Sequence, residues 1–250
     1  AIGFIIEDSL SNDDIKLKVE RINKLHFERI GQVLKTELIA IRQSKDAARF
    51  MEAVKLVGGL SDCGIVLMSA DPASLKGALT VLAGKNPLIY SASSQNVALL
   101  AALAKEYGAS LAVTADSLEA VSVLAAKAKE AGASNIVIDI KDSGEVRKEI
   151  WELTQVRRQA LKKSNRSLGY PIITVINKAD PCEEVIQAGD CIVKYSSIIL
   201  LSGFKPWQAL AILTLRQNIY TDPQKPLQIE PKLYSIGNTD AKSPVLVTTN

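Results

Sequence analysis

Eight short runs of β-branched and aliphatic residues alternate strictly with eight helical segments over ~220 residues, and this predicts a (β/α)8 TIM barrel. The count is the first observation: a barrel of this kind closes at eight units and typically uses about 250 residues. The second is the alternation itself, because parallel strands need a crossover helix between each pair. The third concerns the competing open doubly wound sheet, which usually carries a Gly-rich first turn. No GxGxxG or P-loop follows the first strand here.

The elements follow in order. The first strand is Gly3 to Ile6, closed by Glu7-Asp8. A helix capped at Asn12/Asp13 sets Ile15, Val19, Ile22 and Leu25 on one face, and His26 falls within that helix. The second strand is Leu38 to Ile41, followed by Arg42. Its helix carries Ala47, Phe50, Val54 and Leu56 and is expected to stop at Gly58-Gly59. The third strand is Ile65 to Met68, and Asp71-Pro72 opens the next helix with proline in the first turn, where its missing N–H costs nothing.

The fourth strand is Leu88 to Tyr90, with a helix entered at Ser93/Ser94 that buries Val97, Leu100, Ala101 and Ala104. Strand five is Leu111 to Thr114; its helix starts at Asp116-Ser117 and ends at Gly132. Strand six is Ile136 to Ile140. Helix six turns Val146, Ile150, Leu153, Val156 and Ala160 inward and Glu145, Arg147 and Lys148 to water. Strand seven is Ile172 to Ile176, the seventh helix a short Pro181 to Ala188, and strand eight Ile192 to Leu201. The last helix begins at Pro206 and is expected to bury Trp207, Leu210 and Leu213.

Beyond it, Pro223, Pro226 and Pro231 make an extended tether, since each proline fixes its own φ and biases the preceding residue away from helix. After a turn at Gly237-Asn238 comes an apolar strand, Pro244 to Val247. The expected organisation is therefore a barrel over 1–219, a Pro-rich linker over 220–243 and the first strand of a truncated C-terminal α/β domain over 244–250. The chain starts in one hydrophobic strand without an initiator Met and ends in another, so both ends read as cut.

Composition narrows the function. Thirty basic against twenty-seven acidic residues give a formal charge of +3, scattered rather than clustered as a nucleic-acid footprint requires. No apolar run reaches the ~20 residues that cross a bilayer, and no signal peptide is evident, so a cytoplasmic protein is expected. Cys63, Cys182 and Cys191 have no metal-ligand spacing and His26 is the lone histidine. No metal site and no Ser/His/Asp or Cys/His catalytic constellation is therefore expected within this chain.

In such a barrel, chemistry sits where strands end. Those positions hold Glu7, Asp8, Arg42, Asp71, Asp116, Asp139, Lys141, Asn177, Lys178 and Asp180. As a ring they suit a pterin-like heterocycle, which keeps a free-standing pterin-dependent methyltransferase or synthase as the alternative function. The simpler reading gives Asp71 and Asp116 to helix caps and Asp8 to its loop. Asp139 interrupts an apolar strand and needs a partner such as Lys141. The basic cluster Arg157, Arg158, Lys162, Lys163 and Arg166 reads as a solvated helix end or as a docking surface for an acidic partner.

The runs TLRQNIYTDPQKP, IEPKLYSIGN and SPVLVTTN resemble the large (gamma) subunit of the corrinoid iron–sulfur protein of the acetyl-CoA decarbonylase/synthase system. The segments VERINKLHFERIGQ, DPASLKGAL, NPLIYSAS and LGYPI fit the same family. That resemblance implies a central barrel joined to a cobamide-binding domain. The full subunit carries a methyl group on cobalt from methyltetrahydropterin to acetyl-CoA synthase, and a [4Fe–4S] cluster reactivates the cobalt. It further implies a heterodimer with a small barrel subunit, and the methyltransferase and acetyl-CoA synthase as transient partners. Thr248, Thr249 and Asn250 match the start of the cobamide domain and are carried over as corrin contacts. The family's four-cysteine motif is missing here, so this stretch alone is expected to hold neither cobamide nor cluster stably, and to act as scaffold and partner surface.

Overall fold

The computed structural model describes residues 1–141, 144–220 and 232–247. In chain order the elements are β1 (Ile2–Glu7), α1 (Asn12–Asn23), β2 (His26–Arg29), β3 (Gln32–Lys35), β4 (Leu38–Arg42), α2 (Ala47–Leu60), β5 (Gly64–Met68), α3 (Pro72–Val81), β6 (Leu88–Ala92), α4 (Val97–Tyr107), β7 (Ser110–Ala115), α5 (Leu118–Glu130), β8 (Ile136–Ile140), α6 (Val146–Lys162), β9 (Ile173–Ile176), α7 (Pro181–Val193), β10 (Ile198–Leu201) and α8 (Pro206–Tyr220). Eight strands form one parallel sheet in the order β8-β7-β6-β5-β4-β1-β10-β9. Its two ends meet through a parallel bridge between Ile138 and Ile172, reinforced by the Ile138 amide donating to the Pro171 carbonyl at 2.9 Å. The expected barrel is the one observed.

Strand parity builds two cores. On β1, Ile2, Phe4 and Ile6 point outward beneath the helices, while Ile5 joins Ala40, Val66, Ala112, Val137 and Leu200 inside the barrel. Burying each Ile or Phe contributes about 1.5 to 3 kcal/mol, so the outer layer, which is the larger, carries most of the stability. Gly3 faces Leu38 and Leu200: a Cβ there would lie 2.7 Å from the Leu38 carbonyl oxygen and 2.9 Å from Leu200 Cδ2. Only hydrogen fits at this closest approach of neighbouring strands.

Several boundaries differ from the sequence reading, each for a physical reason. Helix α2 runs through Gly58-Gly59 to Leu60, because Gly58 lets Leu82 approach to 3.0 Å of where its Cβ would be. The seventh helix does not stop at Ala188. Glu184, Gln187, Ala188, Cys191 and Ile192 keep helical spacing on its buried face, so Ile192 and Val193 belong to the helix and the last strand begins only at Ile198. On α8 the buried side is Gln208, Ala209, Ile212, Leu213 and Gln217, while Trp207 and Leu210 are about half exposed. Two glutamines take the inner positions because each finds partners there: Gln208 on Glu184 and the Pro181 carbonyl, and Gln217 on Gln32 and the Arg29 carbonyl.

His26 is not in a helix; it opens β2, the first arm of a hairpin with β3. The two-residue turn is Ile30-Gly31, both with positive φ, as the hairpin turn that matches strand twist demands. Residues 244–247 are exposed and form no strand, and among the described residues no strand pairs with them. The expected linker prolines Pro223, Pro226 and Pro231, and Thr248, Thr249 and Asn250, lie outside the described residues.

Candidate functional site

The C-terminal ends of the barrel strands gather a polar cluster around Asp139 on β8. Its Oδ2 accepts from the Tyr90 hydroxyl at 2.6 Å and from Thr114 Oγ1 at 3.0 Å. Thr114 sits beside Asp139 in the β7–β8 register. Tyr90 is two strands away on β6, where the register shifts between Ile89 and Ala92; such irregularities re-aim side chains at barrel rims. The expected partner, Lys141, instead pairs with Asp116 at 3.3 Å outside the mouth.

Burial dominates the electrostatics. Asp139 is only 4% exposed, and desolvation pushes its carboxyl up to about 6, opposed by the two hydroxyl donors. The Tyr90 phenol is pushed well above its ordinary range, first by burial and then by the neighbouring Asp139 charge. Among the described residues both donors address Oδ2, and Oδ1 receives none. Asp139 therefore keeps one carboxylate oxygen without a donor among the described residues.

The strand-end carboxylates Glu7, Asp8, Asp71 and Asp180 are engaged in local structure. Glu7 accepts from Arg42 Nη1 at 3.0 Å between β1 and β4. Asp8 is fully buried and accepts from Ser44 and Lys45 amides at 2.8 and 3.2 Å, while Arg49 donates to its carbonyl at 2.8 Å. Asp71 and Asp180 cap α3 and α7 through the amides of Ala73, Ser74 and Cys182. Ser117, not Asp116, caps α5, because its shorter hydroxyl reaches the Ala120 amide at 3.2 Å. Asn177 and Lys178 lie at the rim; among the described residues neither side chain makes a hydrogen bond or ion pair.

Sequence reasoning missed Tyr90 and Thr114, whose inward direction depends on strand parity and the β6 irregularity. It also missed Glu184 on α7. That carboxylate is fully buried and accepts from the Ser202 amide, the Ser202 hydroxyl, the Gly203 amide and Gln208 Nε2 at 2.8, 2.7, 3.1 and 2.9 Å. It fixes the loop that follows β10. Separately, a groove of about 530 Å³ lies between the hairpin and α8, lined by Phe27, Glu28, Arg29, Trp207, Leu210, Ala211 and Thr214, none of them on a barrel strand.

Residues 1–250 match the protein family described as CO dehydrogenase/acetyl-CoA synthase delta subunit. The chain belongs to that family. It is 42% identical over 251 residues to the corrinoid/iron-sulfur protein large subunit of Moorella thermoacetica, covering 100% of this chain and 56% of the relative. It is 32% identical over 258 residues to the acetyl-CoA decarbonylase/synthase complex subunit gamma of Methanothermobacter thermautotrophicus, covering 98% of this chain and 56% of that one. The resemblance read from the tail motifs is thus borne out, and the chain spans about half the length of these curated relatives. Among solved structures, 7,8-dihydropteroate synthase from Vibrio fischeri superposes with a TM-score of 0.66 at 12% identity, covering 89% of this chain and 94% of that one. The Thermus thermophilus dihydropteroate synthase gives 0.63 at 14%, covering 88% and 94%. At such identities the likeness concerns the fold alone.

The cofactors named for the relatives can be tested against the donors present. A [4Fe–4S] cluster needs four thiolates, and the sequence has three cysteines: Cys63 half-buried, Cys182 exposed and Cys191 buried. Among the described residues no group of three or more His, Cys, Asp or Glu could hold a metal ion. These residues do not fit a cluster, so no chemical step of this chain runs through one. No helix among the described residues is long and apolar enough to cross a membrane.

Proposed function

We propose that this chain is the barrel of a corrinoid iron–sulfur protein subunit whose complete form carries a methyl group on cobamide cobalt from methyltetrahydropterin to acetyl-CoA synthase. The barrel supplies scaffold and partner surface, and the cobalt, whose surroundings a protein tunes, supplies the chemistry. Residues 220–243 serve as linker and 244–250 open the cobamide domain, with Thr248, Thr249 and Asn250 at its corrin side. The small barrel subunit is its heterodimer partner, methyltransferase and acetyl-CoA synthase are transient ones, and the assembly is cytoplasmic.

The observation that carries this reading is the inward economy of the mouth. Glu7 is spent on Arg42, Asp8 on its own loop, Asp71 and Asp180 on caps, and Asp116 on Lys141. A catalytic ring would leave such groups convergent on a vacant centre. The test is association: sedimentation velocity of the chain with the purified small subunit should give a one-to-one complex, and two independently sedimenting species would refute the assignment.

One observation favours a second reading. The Oδ1 of Asp139, which takes no donor among the described residues, is an acceptor suited to a pterin N–H at the strand ends where barrel enzymes bind substrate. On that reading methyltetrahydrofolate binds the isolated chain, and Asp139→Asn or Asn177→Ala weakens it at least tenfold by calorimetry. An isotherm with no heat of binding would remove it.

A further inference from the structure

Helix α6 buries Glu149, Leu153 and Val156 against the barrel, which leaves its opposite side to solvent. At 3.6 residues per turn, Arg147, Trp151, Arg158 and Lys162 fall on one outward stripe ~22 Å long, with Lys148 and Leu161 at its edges. All six are exposed, Trp151 by 59% and Leu161 by 64%. Among the described residues none of the four cations forms an ion pair. Arg157, just off the stripe, lies over the ring of Tyr195 at 5.7 Å.

Two features set this face apart from an ordinary solvated helix. Arg147 and Lys148 occupy the first turn, where the helix dipole favours acids, so they are held against the helix's own preference. An indole stands in the middle of the charges, and Trp and Arg together are the residues that dominate binding at protein interfaces. We propose that the outer face of α6 is a docking surface for an acidic protein face with an apolar recess for Trp151. This rests on the methyl-carrier reading and names the kind of partner contact that reading needs: salt-sensitive and reversible, since rim charges act mainly on association rate.

The alternatives fit less well. Glu145 and Glu152 flank the stripe and would repel a continuous phosphate track. The helix's apolar side is already used on the barrel, so it cannot lie in a bilayer interface.

The test uses the complete large subunit paired with its small subunit. Purified acetyl-CoA synthase and methyltransferase from the same organism are the probes, at about 50 and 300 mM salt, which bracket the change in screening length. The triple reversal Arg147→Glu, Arg158→Glu, Lys162→Glu is compared with Trp151→Ala and with a control reversal of the exposed Lys55, Lys76 and Lys127. Expected is at least a tenfold loss of affinity for one of the two probes in the stripe reversal and in Trp151→Ala, with the control unchanged. Wild-type affinity should fall with salt, and the reversed variant should have lost that dependence. The reversal places a favourable acid in the first turn at Arg147 and an unfavourable one in the last turn at Lys162. The two dipole effects offset, so the unfolding temperature should stay near wild type, which separates lost docking from lost folding. Equal binding by wild type and stripe variant overturns this inference alone. Failure of wild type to bind either probe overturns the methyl-carrier partnership as well. Tighter stripe-dependent binding to anionic phosphatidylglycerol vesicles or duplex DNA than to either protein also contradicts it.

Discussion

The Tyr90 hydroxyl donates to Asp139 Oδ2 at 2.6 Å and so ties β6 to β8 across the intervening β7, whose Thr114 donates to the same oxygen. Three consecutive strands thereby share one buried carboxylate at the barrel mouth. The arrangement holds an acid in a place where burial works against its charge.

That conflict gives a pH dependence. The folded Asp139 carboxyl titrates at about 6, above its ordinary 3.8, so between those values the folded protein holds a proton that the unfolded chain has released. Stability from this group is then complete below about pH 4 and is lost as pH rises through 6. The shift corresponds to roughly 3 kcal/mol as an order of magnitude. Asp139→Asn keeps an acceptor for both hydroxyls and removes the charge. Urea unfolding should show the variant more stable than wild type at pH 8, with the gap closing at pH 4.5; a constant gap would contradict the assignment.

Tyr90→Phe removes the shorter donor from the carboxylate. Losing a hydrogen bond to a buried charged group should cost about 1.5 to 3 kcal/mol at pH 8, and the Asp139 carboxyl should move further upward because a group that favours its charged form is gone. Carbon-13 titration of the aspartate carboxyls reads the second effect. A downward shift would mean that the Tyr90 contact does not support the ionised acid.

Glu184→Ala would strand the Ser202 and Gly203 amides and the Gln208 side chain in a dry site. The expected loss is about 3 kcal/mol or more, from several unsatisfied groups at once. Chemical denaturation measures it, and a loss below about 1 kcal/mol would show that water replaces the carboxylate.

Gly3→Ala places a methyl group 2.7 Å from a backbone carbonyl that cannot rotate away. Overpacking of this sort costs about 1 to 3 kcal/mol, and the strand separation between β1 and β4 makes the upper end the expected result. A thermal unfolding curve identical to wild type would show that the strands part freely.

The legibility of this fold followed from what each residue's neighbours in sequence can reveal. Runs such as Ile136 to Ile140 sit in the barrel wall, are buried on both faces and carry their identity in composition alone. Asp71-Pro72 announced its helix because cap and first-turn proline act locally. The β2–β3 hairpin is hidden in the sequence because Ile30 takes a left-handed turn position where Asn or Asp is usual, and His26 reads as part of α1. The burial of Gln208 in place of Trp207 depends on Glu184, 24 residues earlier, and no window of local hydropathy contains both.

The site divides in the same way. Asp139 stood out as a charge inside an apolar strand, yet its partners come from 49 and 25 residues away, on strands whose inward faces are known only once the barrel is closed. Lys141, two residues on, lies just past the end of β8 and turns to Asp116 instead.

The central claim is that the barrel is scaffold and partner surface while its mouth takes no part in methyl transfer. Methyl transfer from methyltetrahydropterin to acetyl-CoA synthase through the complete large subunit, carrying Asp139→Asn together with Asn177→Ala, tests it most directly. The account predicts a rate within about twofold of wild type, because on the scaffold reading the reacting group is carried outside the barrel mouth. A fall of ~100-fold or more, the scale of a lost catalytic group, would contradict it and place the chemistry in the mouth of the barrel.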